Sequence, residues 1–502
     1  MKSVEYVSTR GGTEPKKASQ IIREGMAPDG GLYVPVGWPQ LTDKEQEELK
    51  GLSYQEKAGM ILEKFLNDFT PQEIREFTGK AYSQPAFDCP EILKIRALYD
   101  NCYIMELWHG PTSAFKDMAL QLMPHLLVAS LQKGAEAGEV VILVATSGDT
   151  GKAALEGFRD VPKTRIIVFY PDQGVSQVQE RQMTTQEGNN VHVIAVKGNF
   201  DDAQDGVKAI FQNQELAREL KQKNLFLSSA NSINWGRLVP QIVYYISSYL
   251  ELIEKNLLAW GEKINIVVPT GNFGNILAAY YAKILGIPVN KLICAANANN
   301  VLADFINTGV YDRNRPFYKT ISPSMDILIS SNLERLLFEM TGRDSKKIVN
   351  WMNDLKLKGR YEVDEETLNS IQNDFWSSFA NEEETSLTIK TTYEKTGYLL
   401  DPHTAVAVKV YQDYLKATCD STATIIASTA SPFKFAGSVA KALFGDEEVK
   451  GKDELTLLAM LSERTGIPIP GPLKDLALRP IRHSLKCEKQ EMMEMVRRII
   501  NT

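Results

Sequence analysis

The sequence predicts an α/β fold built on more than one mainly parallel sheet. Short, apolar, β-branched runs recur along the chain, and such runs are typical of parallel strands that helices cover on both faces. Helical stretches lie between these runs, and the alternation indicates strand–helix–strand units. The length of 502 residues favours about two to four domains.

The predicted elements follow from these patterns in chain order. Residues 27–41 indicate loops with one short extended piece, and a helix over 70–82 has Thr70 as its N-cap and Pro71 in its first turn. The predicted strands are 139–145, 164–170, 190–196, 224–230, 264–269, 291–296 and 423–428. Helices are predicted over 201–223 and 274–286, residues 330–400 are mostly helical and charged, and a charged helix over 486–500 closes the chain.

Charge and cysteine content exclude several classes of protein. The 63 acidic residues outnumber the 56 basic ones, and the net charge of −7 gives no electrostatic reason to expect nucleic acid or an anionic membrane as partner. The five cysteines are scattered without a CxxC pair, which is unlike a disulfide framework or a zinc site and typical of reduced thiols. With no apolar secretory signal and no run of about 18 apolar residues, we expect a cytoplasmic protein that binds no metal.

The stretch ELWHGPTSAFKDMAL, residues 106–120, places Lys116 among apolar neighbours. Burying an amine costs free energy, so Lys116 is either a surface lysine at the start of an amphipathic helix or a lysine with a chemical role. We interpret His109, Pro111 and Asp117 as residues that shape the turn and start the helix.

The segment VATSGDTGKAALEGF, residues 144–158, presents polar side chains between a predicted strand and a predicted helix. In open α/β sheets ligands bind beyond the carboxyl ends of strands, and helix N-terminal amides favour a carboxylate or a phosphate. The side chains in question are Thr146, Ser147, Asp149 and Thr150. Because the segment lacks the first glycine and the final hydroxyl of a P-loop, it is either another kind of anion site or an ordinary capped helix start.

The segment VVPTGNFGNILAAYYAK, residues 267–283, contains a glycine-rich loop that leads directly into a helix. Such a loop can surround a phosphate group with main-chain N–H donors. Its residues are Gly271, Asn272, Phe273, Gly274 and Asn275. The loop is not GxGxxG, which disfavours a dinucleotide.

Three other segments carry polar side chains next to predicted strands or helices. In SSANSINWGRLVPQ, residues 228–241, the guanidinium, amides and hydroxyl suit a phosphate dianion, or they cap the loop. The side chains are Asn231, Ser232, Asn234 and Arg237. In IIASTASPFKF, residues 425–435, Ser428, Thr429 and Ser431 either meet a ligand edge or cap the next helix. In LLDPHTAVAVKVY, residues 399–411, we interpret Asp401 and His403 as a helix start first.

A partly desolvated lysine and a separate phosphate loop together match what pyridoxal phosphate requires. An amine held from water has a lowered pKa and becomes a nucleophile for carbonyl groups, as in Schiff-base lysines. The loop takes the 5′-phosphate, the amine takes the aldehyde, and a polar group meets the ring nitrogen.

These motifs together resemble threonine synthase of the longer, bacterial and fungal type. The resemblance rests on HGPT-x-AFKD around Lys116, SGDTG at 147–151, GNFGN at 271–275, STA-SPxKF at 428–435, YVSTRGG at 6–12 and APDGGLYVP at 27–35. It implies the type II fold of pyridoxal-phosphate enzymes, related to tryptophan synthase β, with parallel sheets covered by helices and an added N-terminal domain. It also implies a lyase that converts O-phospho-L-homoserine and water to L-threonine and phosphate, the last step of threonine biosynthesis.

The resemblance implies a role for each candidate residue. Lys116 would form the Schiff base and exchange protons, residues 271–275 would hold the cofactor phosphate, and Thr429 would face the pyridine nitrogen. The substrate carboxylate would bind Thr146, Ser147 and Thr150, and the substrate phosphate would bind Asn231, Ser232 and Arg237. Asp149 would face the cofactor ring oxygen, where many relatives of the wider superfamily carry Asn, so how a proton is shared there stays open.

Three alternatives use much of the same sequence. One is a related phospholyase that releases 2-oxobutyrate, phosphate and ammonia; another is a dehydratase or sulfhydrylase of the same fold; the third is a ligand-binding relative without activity. The implied domains are an N-terminal unit over 1–95, a cofactor-binding core over 96–436 with a smaller mobile subdomain at about 140–250, and a helical extension over 437–502. We expect a small-molecule partner and a monomer or homodimer.

Overall fold

The computed structural model describes residues 4–134, 138–172 and 174–501. The strands are β1 (Tyr6–Ser8), β2 (Tyr33–Pro35), β3 (Lys94–Tyr99), β4 (Cys102–Glu106), β5 (Glu139–Ala145), β6 (Thr164–Pro171), β7 (Val191–Lys197), β8 (Leu225–Ser228), β9 (Ile264–Pro269), β10 (Val289–Ala296), β11 (Val310–Asp312), β12 (Arg360–Glu362), β13 (Phe375–Phe379), β14 (Thr424–Ser428) and β15 (Leu485–Glu488). Short 3-10 turns include 323–325 and 432–435.

Helices connect and cover these strands. They are α1 (Ala18–Glu24), α2 (Asp43–Leu49), α3 (Tyr54–Glu63), α4 (Pro71–Ala81), α5 (Asp117–Leu120), α6 (Met123–Lys133), α7 (Asp149–Phe158), α8 (Gln177–Thr184), α9 (Phe200–Gln212), α10 (Gln214–Gln222), α11 (Trp235–Glu254), α12 (Gly274–Leu285), α13 (Val301–Thr308), α14 (Leu333–Met340), α15 (Ser345–Lys358), α16 (Glu365–Asp374), α17 (Glu382–Thr396), α18 (Pro402–Thr418), α19 (Ala436–Phe444), α20 (Asp446–Val449), α21 (Glu454–Thr465) and α22 (Met492–Ile500).

Two separate sheets form the centre of the fold. The large sheet has the strand order β13-β10-β9-β14-β4-β3, and its pairs are parallel except for β3 with β4. The small sheet has the order β15-β7-β6-β5-β8 and is parallel throughout. Every residue of β9 is buried, as expected for a strand with helices on both faces. The predicted α/β class with mainly parallel sheets is therefore confirmed.

The N-terminal part packs against the long helix α11. Strands β1 and β2 pair in antiparallel fashion, and α4 begins as predicted, with Thr70 and Glu73 forming a reciprocal capping box. The ring of Tyr6 lies 5.3 Å from that of Trp235 in the first turn of α11, between ring centroids. Both residues belong to the main hydrophobic core, so the N-terminal part and the helix share one core.

Two predicted helices are wrong in their extent. Residues 201–223 form α9 and α10 instead of one helix, because Asn213 adopts an extended backbone and its side chain accepts the N–H of Leu216 at 2.8 Å, which starts a new helix. The closing helix begins at Met492 instead of residue 486, and Leu485–Glu488 form a strand that pairs with β7. None of the helices within the described ranges is long and apolar enough to cross a membrane.

Candidate active site

Lys116 lies just before the short helix α5, beyond the carboxyl end of β4. The backbone of this segment is fixed against β14, because the N–H of Leu107 donates to the carbonyl of Ser428 at 3.0 Å and that of Phe115 donates to Thr429 at 2.8 Å. Only 8% of the Lys116 surface is exposed. Lys116 is therefore a buried residue, not the surface lysine of the alternative interpretation.

The Lys116 amine faces a hydroxyl and a carboxylate. Its Nζ donates to Ser324 Oγ at 3.3 Å and lies 3.7 Å from Asp149 Oδ2. Burial lowers the pKa of Lys116 to about 8; Asp149 opposes this shift, and the charges of Lys434 and Arg237 add to it. With this pKa about a tenth of the amine is uncharged at pH 7 and about half at pH 8, and this uncharged form is the one that acts as a nucleophile.

Asp149 is the first residue of α7, at the carboxyl end of β5. The preceding loop is shaped by Thr146, whose Oγ1 accepts the backbone N–H groups of Gly148 and Gly151 at 3.0 and 2.9 Å. Gly148 has φ +135°, and a Cβ there would lie 2.5 Å from the Gln179 side chain, so glycine is required. The loop thereby holds the Asp149 carboxylate toward Lys116.

The Asp149 carboxylate is buried between two lysines. Its Oδ1 lies 2.8 Å from Lys434 Nζ and accepts Gln179 Nε2 at 2.9 Å. Although burial alone raises it, the charges of Lys434 and Lys116 hold the pKa of Asp149 well below its usual value. Asp149 is therefore ionised throughout the neutral range.

The glycine-rich loop joins β9 to α12. Phe273 has φ +63° in the left-handed region and is buried, with its ring 5.8 Å from that of Phe375, a conformation that a bulky side chain adopts only when packing holds it. Among the residues that the structure describes, no side chain caps α12, so the amide N–H groups of its first turn are available to a ligand. A Cβ on Gly271 would lie 2.5 Å from the carbonyl oxygen of Ser324, which leaves room only for glycine.

Asn275 is a buried polar residue of this loop. Its Oδ1 accepts the hydroxyls of Tyr244 and Tyr245 at 2.5 Å each. Its Nδ2 is buried and has no hydrogen-bond partner among the residues that the structure describes. One donor of Asn275 is thus left for a ligand.

Arg237 lies in the first turn of α11 and is 3% exposed. Its Nη1 donates to the carbonyl of Ala230, whereas its buried Nε has no partner and no carboxylate forms an ion pair with it within residues 4–134, 138–172 and 174–501. Burial lowers the pKa of Arg237 to about 10, so the guanidinium is charged at neutral pH. An unpaired buried cation is costly, and an anionic ligand would offset that cost.

Asn332 connects the glycine-rich loop with the segment that carries Arg237. Its Nδ2 donates to the carbonyls of Asn272 at 3.1 Å and Ser232 at 3.3 Å. Gln241, one turn after Arg237, donates to the Arg237 carbonyl at 2.8 Å, and its Oε1 lies 3.0 Å from the Tyr244 hydroxyl oxygen. The first turns of α11 and α12 therefore lie side by side.

The remaining predicted residues lie in the same region, at the carboxyl ends of their strands. Several keep a side chain without a hydrogen bond to the described protein. These side chains are Ser147, Thr150, Asn231, Ser232 and Thr429. Their polar groups are available to a small molecule, whereas the Thr146 oxygen already accepts two loop amides.

The turn residues near Lys116 have structural partners. Asp117 is fully buried and accepts the N–H and hydroxyl of Thr112 at 2.8 and 2.7 Å, and burial raises its pKa to about 6. The ring nitrogens of His109 lie 2.7 Å from Asp88 Oδ1 and 3.0 Å from Glu106 Oε2. These contacts support their interpretation as residues that shape the turn.

Four residues of the site were not singled out as ligand contacts from the sequence: Ser324, Asn332, Lys434 and His403. His403 is buried at the start of α18, where Asp401 caps the helix as predicted. Its Nδ1 donates to Asp401 Oδ1 at 2.8 Å and its Nε2 accepts the Ser324 N–H at 3.1 Å. A lysine one residue before the end of the STA-SPxKF motif was the available signal for Lys434.

Comparison with protein families divides the sequence into three matched regions. Residues 5–82 match the family described as threonine synthase N terminus. Residues 84–355 match the pyridoxal-phosphate-dependent enzymes. Residues 404–495 match the threonine synthase C-terminal family.

Individual relatives agree with these matches. Human threonine synthase-like 1 is 40% identical over 484 residues, which cover 94% of this chain, and the chain spans 63% of that relative's length. Threonine synthase from Pseudomonas aeruginosa is 39% identical, with coverage of 88% of this chain and 91% of its own. The crystal structure of PLP-bound threonine synthase from Brucella melitensis superposes with a TM-score of 0.88 at 36% identity and covers 100% of both chains.

Proposed function

The chain belongs to the threonine synthase family of pyridoxal-phosphate-dependent enzymes, and from this premise we propose that it converts O-phospho-L-homoserine and water to L-threonine and phosphate. The observation that carries the proposal is the buried guanidinium of Arg237, whose Nε has no partner in the described protein. Asn332 joins its segment to the glycine-rich loop, and Ser324 lies beside both that loop and the Lys116 amine. A reactive amine beside an unneutralised cation suits a substrate that carries both a reacting carbon centre and a phosphate.

The residues present fit pyridoxal phosphate. The uncapped first turn of α12 and the free Asn275 Nδ2 suit its phosphate, and the Lys116 amine, whose pKa is about 8, suits its aldehyde. Thr429, whose hydroxyl has no partner in the described protein, would face the ring nitrogen, and Asp149 the ring oxygen. When bound, this cofactor supplies an electron sink that makes the α-proton of an amino acid acidic and permits loss of a γ-phosphate.

The protein's own groups supply the proton transfers. Lys116 Nζ would act as a general base that takes the proton from the substrate Cα and then one from Cβ, so that phosphate can leave from Cγ. As a general acid it would return protons to Cγ and, after water has supplied the hydroxyl group at Cβ, to Cα. Ser324 Oγ, 3.3 Å from Nζ, orients the amine for these transfers. The ionised Asp149 lies 3.7 Å away and stabilises the protonated form that arises in between.

Two sets of residues would orient the substrate. Arg237, with Asn231 and Ser232, binds the phosphate and stabilises the charge that grows as phosphate leaves. The hydroxyls of Ser147 and Thr150 and the amides at the start of α7 bind the carboxylate. Thr146 contributes by shaping that loop. Movement of the subdomain at about 140–250 would close the site against water until the addition step.

The test is the release of threonine and phosphate from phosphohomoserine by the protein loaded with pyridoxal phosphate. Equal amounts of threonine and phosphate are expected. Dominant 2-oxobutyrate with ammonia would establish the phospholyase, and turnover of serine or threonine without phosphohomoserine would favour the dehydratase or sulfhydrylase. A protein that stays colourless after addition of pyridoxal phosphate would refute the cofactor assignment.

The remaining expectations are part of the same proposal. We assign an N-terminal domain to 1–95, the cofactor-binding core to 96–436 and an extension to 437–502. The five free cysteines support a cytoplasmic location. Residues of a single chain form the candidate site, which supports a monomer or a homodimer.

A further inference from the structure

Lys434 is a second buried lysine in the candidate active site. It lies in the 3-10 turn after β14 and has no exposed surface. Its Nζ lies 2.8 Å from Asp149 Oδ1 and donates to the carbonyl of Thr112 at 2.9 Å. The residue is therefore held rigidly against Asp149.

Asp149 is shared unequally by the two lysines. Lys434 contacts Oδ1 at 2.8 Å, whereas Lys116 lies 3.7 Å from Oδ2. Coulomb attraction falls with distance and acts strongly between buried groups, so Lys434 neutralises most of the charge on Asp149. Without Lys434, the nearest cation available to that carboxylate is Lys116.

The charges around Lys116 come from three different elements. Asp149 faces it from α7, Arg237 from α11 and Lys434 from the turn after β14; Ser324 contributes a neutral hydroxyl. The negative group favours the ammonium form of Lys116, and the two cations oppose it. The balance between these charges decides whether the amine is free.

We propose that Lys434 is a positioning residue that neutralises Asp149 and thereby keeps Lys116 as the free amine that can bond to an aldehyde. Lys434 competes with Lys116 for the same carboxylate and so weakens the longer ion pair between Asp149 and Lys116, which favours a proton on Lys116. The inference rests on the proposed function only in identifying the aldehyde as that of pyridoxal phosphate.

Trace acetylation measures the fraction of Lys116 that is the free amine, in the absence of cofactor and substrate. The full chain, freed of cofactor, is treated with a small amount of acetic anhydride between about pH 6 and about pH 10, and acetylation of Lys116 is quantified by mass spectrometry. Only the free amine reacts, so acetylation rises with pH through the pKa of Lys116. The wild-type midpoint is expected near 8. Lys434→Met should raise it by about one pH unit or more, which reduces acetylation at neutral pH about tenfold.

Two control variants test whether the effect of Lys434→Met comes from loss of the positive charge beside Asp149 or from replacing a buried lysine. Lys434→Arg keeps a cation beside Asp149 and should keep the wild-type midpoint more closely than Lys434→Met. Lys152→Met removes another buried lysine of α7, which is paired with Glu156 at 3.0 Å instead of with Asp149, and should leave the midpoint unchanged.

The double variant Asp149→Asn/Lys434→Met covers the case in which Lys434→Met alone does not fold. It removes both charges, so its midpoint should be no higher than that of the wild type. An unchanged midpoint in Lys434→Met, or a raised one in the double variant, overturns the inference. A wild-type chain that forms no threonine, but whose midpoint rises in Lys434→Met, would refute the proposed function and support this inference.

Discussion

Two neighbouring segments are the proposed anion sites, and they offer different kinds of donor group. The glycine-rich loop at 271–275 offers backbone amides at the start of α12 and the Asn275 amide, all of them neutral. The segment at 230–237 offers the buried guanidinium of Arg237 with a free Nε. Asn332 donates to carbonyls of both segments, so the two sites share one support.

The difference indicates which anion each site suits. Neutral amides held by a fixed backbone form a site whose shape fits a permanently bound group. When that group is absent, such a site leaves no buried charge without a partner. A buried cation, in contrast, is destabilising when it is unpaired and binds more strongly as negative charge grows on its partner. This favours the cofactor phosphate for the loop and the substrate phosphate for Arg237.

The largest expected effect is that of Lys116→Ala. Because Lys116 is the proposed reacting amine, the variant should lose the visible absorbance of the cofactor-bound protein and about 10³-fold or more of its threonine formation. The measurements are an absorption spectrum and a product assay. Any pyridoxal phosphate that still binds to this variant is then held without a bond to Lys116, by contacts such as those of the glycine-rich loop. An intact visible absorbance band would show that Lys116 does not form the bond to the cofactor.

Arg237→Gln should separate the two sites. Loss of a charge-assisted contact to a phosphate is expected to lower kcat/KM for phosphohomoserine about 10- to 150-fold, while the affinity for pyridoxal phosphate stays within a few-fold of the wild type. Steady-state kinetics and a cofactor titration measure the two quantities. Arg237→Lys, which keeps the charge, is the matched control. Equal losses of substrate use and cofactor affinity would mean that Arg237 only supports the fold.

Gly271→Ala tests the loop, with Gly274→Ala as its control. A Cβ at 271 meets the Ser324 carbonyl at 2.5 Å, whereas one at 274 meets the Asn332 side chain at 3.4 Å. Gly271→Ala should lower the free energy of unfolding by about 1–3 kcal/mol and weaken cofactor binding, and Gly274→Ala should preserve the stability. Thermal unfolding and cofactor titration provide the measurements; unchanged cofactor binding in both variants would argue against this loop as the phosphate site.

The smallest effect is expected for His403→Gln. His403 accepts the Ser324 N–H at 3.1 Å, and Ser324 is the residue that lies beside both Gly271 and Lys116. Loss of one buried hydrogen bond should cost about 1 kcal/mol of stability and reduce kcat by less than about tenfold. A Ser324→Ala variant shows how much of that reduction passes through the hydroxyl. If His403→Gln is as inactive as Lys116→Ala, His403 has a direct role in the reaction.

The sequence predicted the elements whose pattern is local. Strands β5 and β9 were predicted with the bounds that the structure has, because parallel strands covered on both faces are continuous apolar runs. The α9–α10 break was missed, since a single extended residue, Asn213, interrupts an otherwise continuous helical pattern. Strand β15 was missed because only Cys487 of its four residues is buried. The segment therefore lacks the apolar run or the alternation of apolar and polar residues that predicts a strand.

The candidate site was predictable where a motif carries the chemistry. Residue types and spacing indicate Lys116 and the loop at 271–275 as candidates, and the family resemblance adds the roles of Asp149 and Arg237. The structure places these residues in one region, and their roles stay predictions. Lys434 and Ser324 were not identified, because their significance lies in contacts with residues far along the chain. A charge partner that is distant in sequence leaves no local signal.

Strand β15 is synthesised long after the strand with which it pairs. It pairs with β7, and the ion pair between Lys197 and Glu488 joins residues 291 positions apart. A ribosome adds about 5–20 residues per second, so roughly 15–60 seconds pass between synthesis of the two strands. A small sheet formed from β5, β6, β7 and β8 during that interval has an unpaired β7 edge, which can pair with other chains. Correct assembly of the small sheet therefore requires that the β7 edge be kept from pairing with other chains until β15 has been synthesised.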